Sequence, residues 1–223
     1  MIARMAKKLK RLSPQLAALA LILAANTIIA PGFLGISFQN GRLYGSLIDI
    51  LVRAAPVAIL AVGMTLVIAT RGIDLSVGAV MAISGATAAS LIVAGYPLAI
   101  VIPVALGVGL VCGLWNGFLV AVFDIQPIIA TLILMVAGRA IAQLITEGAI
   151  LTFNNDSFAT LGSGSFLGIP VPVLIWILAG LAVGLAVRST ALGFLIEATG
   201  INRRAAMLAG VKARFLLFSV YAV

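Results

Sequence analysis

Residues 188–214 read RSTALGFLIEATGINRRAAMLAGVKAR. Here charge returns to an otherwise oily chain: Arg188, Arg203, Arg204, Lys212 and Arg214 stand against a single acid, Glu197. An apolar run long enough to cross a bilayer precedes the stretch, and another begins after it. Lys and Arg in short loops between spans are retained on the cytoplasmic side, so the stretch is expected to hang beneath the membrane. Asn202 can accept a backbone N–H as an N-cap, and Gly210 can supply the left-handed residue after a helix end. The residues between them, RRAAMLA, are good helix formers. A short surface helix is therefore expected from about Arg203 to Ala209, with Gly200 turning the chain into it. A plain retention loop explains the same charges without any further role.

The rest of the composition fixes the class. Of 223 residues, 63% are hydrophobic and only 9% charged, against about a quarter charged in soluble domains. Continuous apolar runs, rather than alternation with period two, argue for helical spans and against a barrel. The net charge of +8 does not point to nucleic acid, because most of it sits in two short clusters beside spans. There is no His in the chain, which excludes imidazole catalysis and His-ligated metal within it. Cys112 is the single cysteine; it lies in an apolar run and reads as packing. No phosphate-binding loop, metal-ligand cluster or nucleophile–base pairing is present, so nothing in the chain is expected to hydrolyse a nucleotide, and any ATP-driven step would belong to a separate chain.

The expected fold is all-α: a polytopic helical membrane bundle with six complete spans and the start of a seventh. Residues 1–11 form a basic cytoplasmic tail with Arg4, Lys7, Lys8, Lys10 and Arg11. The membrane domain occupies 12–187. Its spans run over residues 12–30, 47–70, 73–94, 98–123, 128–146 and 169–187, with outer loops at 32–46 and 147–168. The charged loop occupies 188–214, and 215–223 opens the seventh span. Nine helical residues reach roughly 14 Å, while the hydrocarbon core is about 30 Å thick. The chain is therefore expected to be a fragment, or a truncated gene product, of a longer membrane protein. Eleven of the fourteen basic residues fall on expected inner segments, leaving Arg42, Arg53 and Arg139; with an inside N-terminus, the topology agrees with its charges.

Small residues recur every fourth position in two spans: Gly78, Ala82, Ala86 and Ser90 in the third, and Ala105, Gly109, Gly113, Gly117 and Ala121 in the fourth. Such stripes let helices approach closely where lipid gives no hydrophobic drive. Arg139 lies near the middle of the fifth span, where an arginine costs roughly 2.5–3.5 kcal/mol on insertion scales, so it should face protein or water. Thr131, Gln143 and Thr146 share its side of the helix wheel at 100° per residue. This polar stripe either lines a solute path or forms an interhelix network. Asp74 follows Gly72 and is placed to cap the third helix or to touch a solute. Asn116, in the fourth span, needs a partner in the bundle.

Three segments carry a resemblance: AVGMTLVIATRGIDLSVGAVMAISGA (61–86), GLWNGFLVAVFDIQPIIATLILMVAGRAIAQLITEG (113–148) and ALGFLIEATGINRRAAMLAGV (191–211). They resemble the permease subunits of bacterial ABC sugar importers of the ribose/xylose/galactose group, the galactofuranose-type permeases most. The resemblance covers the chain from about residue 43. It implies an inner-membrane permease that forms the translocation path and works with a nucleotide-binding ATPase, a second permease subunit and a periplasmic sugar-binding protein. ATP and Mg would sit on the ATPase, and this chain would hold no cofactor of its own. It also implies that the loop matched by Glu197, Ala198, Gly200, Asn202, Arg203, Arg204, Ala205, Ala206 and Gly210 couples the permease to the ATPase. The expected path residues are Asp74, Asn116, Thr131, Arg139, Gln143 and Thr146. Two rivals remain at this stage. A secondary transporter would want acidic ion-coupling groups at depth. A membrane assembly subunit would need only the packing stripes.

Overall fold

The computed structural model describes residues 2–39 and 41–223, with side chains from Ser13 onward. The basic side chains of the 1–11 tail lie outside the described residues. The chain divides into two compact units, residues 1–54 with 165–170 and residues 55–164 with 171–223.

In the first unit, α1 (Ile2–Ile29) is followed by a short hairpin, β1 (Ser37–Gln39) and β2 (Arg42–Tyr44), paired antiparallel with Phe38 opposite Leu43. The Arg42 guanidinium stacks over the Tyr44 ring at 4.8 Å from its centroid. A second small pair, β3 (Ser165–Phe166) and β4 (Ile169–Pro170), joins the hairpin where Leu43 N–H donates to the Gly168 carbonyl at 3.0 Å. Both expected outer loops thus carry short ordered strands. Their periods are too brief to register against neighbouring turns.

The second unit is helical. After α2 (Ser46–Ala69), which begins in the first unit, come α3 (Val77–Val93), α4 (Leu98–Ala121) and α5 (Pro127–Ile145). A two-turn helix, α6 (Asp156–Ser163), interrupts the stretch read as a loop; Asn155 caps it by accepting the Phe158 N–H at 3.0 Å. Then follow α7 (Val171–Ser189), α8 (Ala191–Ile201), α9 (Arg203–Leu208) and α10 (Ala213–Ala222). Among the described residues, four helices, α2, α4, α5 and α7, are long and apolar enough to cross a membrane by length and composition. The third expected span falls short of that measure. The described apolar part of α1 is Ser13–Ile29. α3 has 17 residues, about 26 Å at 1.5 Å per residue. The chain reaches α3 through an irregular lead at 72–76 rather than a helical one.

α3 packs between α4 and α5, and α4 packs on its other side against α10. The main core joins Val67, Leu119, Val120, Ala130, Ile196, Leu216, Val220 and Tyr221. A second cluster, Ala88, Ile92 and Val101, is covered by Phe158 of α6. The stripe on α4 meets its purpose at Gly113 and Gly117. A Cβ at Gly113 would collide with the Tyr221 carbonyl oxygen, and one at Gly117 would lie 2.9 Å from that of Phe218. The stripe read on α3 holds only in its second half: Ala86 is buried and Ser90 half-buried, whereas Gly78 and Ala82 are exposed and the neighbouring Ala79 and Ile83 are buried instead. At Gly138 of α5, a Cβ would come within 2.9 Å of Ala79 and 3.1 Å of Ile83, so the small residue that admits α3 stands on α5.

Candidate solute path and coupling element

The lead into α3 organises the site. α2 ends with Gly72 N–H on the Val67 carbonyl at 2.9 Å and Arg71 in a left-handed conformation, φ 60°. The chain then runs without helical or strand structure to Ser76, the N-cap of α3, whose own side chain makes no capping bond. Asp74 therefore precedes the cap instead of occupying it. Its Oδ1 accepts the Ser76 N–H at 2.7 Å and the Ser76 hydroxyl at 2.6 Å. The Ser76 Oγ in turn accepts Asn116 Nδ2 at 2.7 Å. Asn116 and Ser76 are both fully buried, and Asn116 Oδ1 has no partner. An unpaired buried acceptor costs about 1–3 kcal/mol, so the amide is held ready for a donor.

Thr131 staples the same lead to α5. Its hydroxyl accepts the Leu75 N–H at 3.1 Å and donates to the Pro127 carbonyl at 2.8 Å. Non-helical backbone is tolerated at membrane depth only where protein buries it or it lines a cavity. Here it does line one. A cavity of about 580 Å³ is bounded by α2, α3, α4, α7 and α10, with Asp74, Ser76, Ser84, Asn116 and Tyr221 among its walls. That volume falls within the range of small-molecule sites. Its walls are mostly apolar with a few convergent polar groups, the pattern that fixes a ligand's orientation.

The structure brings together two of the expected path residues, Asp74 and Asn116, and seats Thr131 behind them as a brace. It does not bring in the other three. Arg139 and Gln143 are exposed on α5, Thr146 is half-buried at its end, and none of them lines the cavity. The wheel argument placed the four residues on one side of α5, but the face that meets α3 runs through Thr131 and Gly138, and Arg139 and Gln143 lie off it. Ser76 and Tyr221 were missed. Ser76 was visible two residues after Asp74 in G-I-D-L-S-V-G. Tyr221 carried no signal, since only the tertiary packing of α10 brings it to the site.

A second cavity, about 480 Å³, lies where the ends of α2, α4 and α8 meet the α4–α5 turn and α10. Its walls include Thr70, Arg71, Asp124, Thr199, Arg203 and Tyr221. Beside it stands the charged element. Thr190 caps α8 through the Leu192 N–H at 3.2 Å. Asn202 caps α9 by accepting the Ala205 N–H at 3.0 Å, as its position suggested. Gly210 closes α9 with φ 87°. Gly200 does not turn the chain; it lies within α8 and presses on the Ala69 carbonyl, where a Cβ would collide. The reading of one helix in this stretch is corrected to two, because ALGFLIEATGI tolerates a glycine where close approach requires it. Arg203 reaches Asp124, in the α4–α5 turn, at 2.7 Å. Ala206 is buried, whereas Glu197, Ala205 and Arg204 are exposed and Leu208 is 91% exposed. The element thus shows an apolar and cationic outer surface.

Residues 46–223 match the family described as branched-chain amino acid transport system / permease component. The chain is 59% identical over 208 residues to the galactofuranose transporter permease protein YtfT of Escherichia coli (strain K12), covering 93% of this chain and 61% of that protein. It is 42% identical over 212 residues to the fructose import permease protein FruF of Bifidobacterium longum (strain NCC 2705), covering 92% and 60%. It is 37% identical over 210 residues to the ribose import permease protein RbsC of Haemophilus influenzae (strain ATCC 51907 / DSM 11121 / KW20 / Rd), covering 92% and 62%. The chain thus spans about three fifths of the length of these relatives. No solved structure matches it. With apolar helices of spanning length around a mostly apolar cavity that carries a few polar groups, and a match over most of its residues, the chain belongs to the branched-chain amino acid transport system / permease component family of multi-pass membrane proteins.

Proposed function

We propose that this chain forms part of the translocation path of an ATP-driven importer for a small sugar. The observation that carries the reading is the Asn116–Ser76–Asp74 hydrogen-bond chain on the wall of the larger cavity. It presents a carboxylate and an unsatisfied amide oxygen, groups that receive sugar hydroxyls. The relatives that import galactofuranose, fructose and ribose support a monosaccharide as cargo. The partners are an ABC ATPase, which holds ATP and Mg, a second permease subunit and a periplasmic sugar-binding protein. The N-terminus and the 188–214 element face the cytoplasm, and α9 with its exposed Leu208 docks on the ATPase. The exposed Arg139 and Gln143 on α5 favour protein over lipid as the neighbour of that face. ATP binding and release bias the bundle between two arrangements that differ in which side reaches the cavity.

The test is uptake of radiolabelled sugar by cells carrying the intact transporter with Asp74→Asn or Asn116→Leu. Both variants should reach the membrane and lose most uptake while retaining basal ATP hydrolysis. Unchanged uptake in both would remove the cavity from the path. Glu197→Lys and Gly200→Trp should instead abolish the stimulation of ATP hydrolysis by sugar-loaded binding protein.

A further inference from the structure

The two cavities share a wall, and that wall is Tyr221. It borders the larger cavity together with Asp74 and Asn116, and the smaller one together with Thr199 and Arg203. The residue is only 5% exposed, so the ring fills the space between them. Its backbone and its ring are held differently. The backbone is fixed, because the Tyr221 carbonyl lies against Gly113 so closely that no Cβ fits there. The ring lies over Gly72, where an added Cβ would fall 2.5 Å from the phenol oxygen. Yet that phenol has no hydrogen-bond partner. A buried hydroxyl without a partner costs about 1–3 kcal/mol. The ring is thus seated by packing alone on an anchored backbone, and staggered side-chain wells offer it other positions.

We propose that the Tyr221 ring is the barrier between the solute cavity and the inner mouth, and that its rotation joins the two. The inference rests on the path reading given above. The ring blocks by bulk, and the hydroxyl plays no part in the closed position because nothing receives it there. Gly72 is the complementary requirement, since any side chain at that position would expel the ring from its seat.

Solvent access across the wall tests this. In the intact transporter, Cys112→Ala removes the chain's own thiol, and Ser84→Cys places one on the wall of the larger cavity. Vesicles of both orientations are treated with a charged, membrane-impermeant thiol reagent. A closed state that opens 0.1–10% of the time slows labelling from the inner mouth about ten- to a thousandfold. Tyr221→Ala should remove most of that slowing, and Tyr221→Phe should leave it in place. Gln126→Cys, an exposed position at the smaller cavity whose side chain makes no cap bond, serves as a folding control and should label equally in all backgrounds. Labelling of Ser84→Cys at one rate in all three backgrounds overturns the proposal, as does an equal acceleration by Phe and Ala. A rise shared by Gln126→Cys would mean general loosening and would also refute it. Sugar uptake separates the two ideas: intact uptake in Asp74→Asn sinks the path reading without touching accessibility, whereas unchanged accessibility in Tyr221→Ala sinks the barrier alone.

Discussion

Ser76→Ala offers a quantitative trial of the polar chain. The hydroxyl donates to Asp74 and accepts from Asn116, and it is fully buried. Asp74 keeps the Ser76 N–H, so its loss is partial. Asn116 fares worse: its Oδ1 is already without a partner, and Nδ2 would join it. Stranding a buried amide costs about 1–3 kcal/mol, and losing a bond to a charged group about 1.5–3 kcal/mol. Allowing for relaxation, the single change should destabilise the fold by about 3 kcal/mol. No capping loss confounds the comparison, since the Ser76 side chain makes no cap bond. For a chain of this size, each kcal/mol moves the midpoint by about 2–4 °C, so thermal unfolding in detergent should shift down by about 6–12 °C. The double variant Ser76→Ala/Asn116→Leu removes both partners, which approaches neutrality. It should therefore be more stable than the sum of the two single effects by at least about 1 kcal/mol. A shift under about 2 °C for Ser76→Ala, or strict additivity in the double variant, would refute the buried network.

Three further outcomes follow from the packing. Gly113→Leu should abolish folded protein in size-exclusion runs, because even a Cβ collides with the Tyr221 backbone; Gly107→Ala, with nothing within 4 Å, should be neutral or gain up to about 1 kcal/mol. Asn202→Ala removes the α9 cap, worth about 1 kcal/mol, and should weaken ATPase stimulation more than it lowers the unfolding temperature. Asp124→Asn breaks the ion pair with Arg203, whose side chains are 30% and 64% exposed for Arg and Asp. The stability change should stay below about 1 kcal/mol and shrink with added salt, since solvent screens such pairs.

What the sequence revealed depended on the range of the signal. α9 was readable because its cap, its composition and its closing Gly210 lie within nine residues of one another. The close packing of α4 was readable because glycine spacing is itself the contact surface. The start of α3 was not. Ile73 and Leu75 are apolar, and hydropathy does not distinguish irregular apolar residues from helical ones. Thr131 of α5, 56 positions away from Leu75, holds the irregular lead in place. Arg139 misled for a related reason: a helix wheel gives relative angle but not which side meets a neighbour. Asp74 and Asn116 were legible as polar groups at depth, while their joining through Ser76 required the fold.

The glycine face of α4 also sets an order of assembly. Gly117 and its partner Phe218 are 101 positions apart. At 5–20 residues per second, a ribosome needs roughly 5 to 20 s to deliver the second after the first. Through that interval α4 can already hold Asn116 against Ser76, because α3 has emerged before it. The bare glycine groove meanwhile rests against lipid at little cost, as hydrocarbon tails are no worse a neighbour than leucine. α10 is thus a late arrival to an already formed Asn116–Ser76 contact, and the wall carrying Tyr221 is set in place after it.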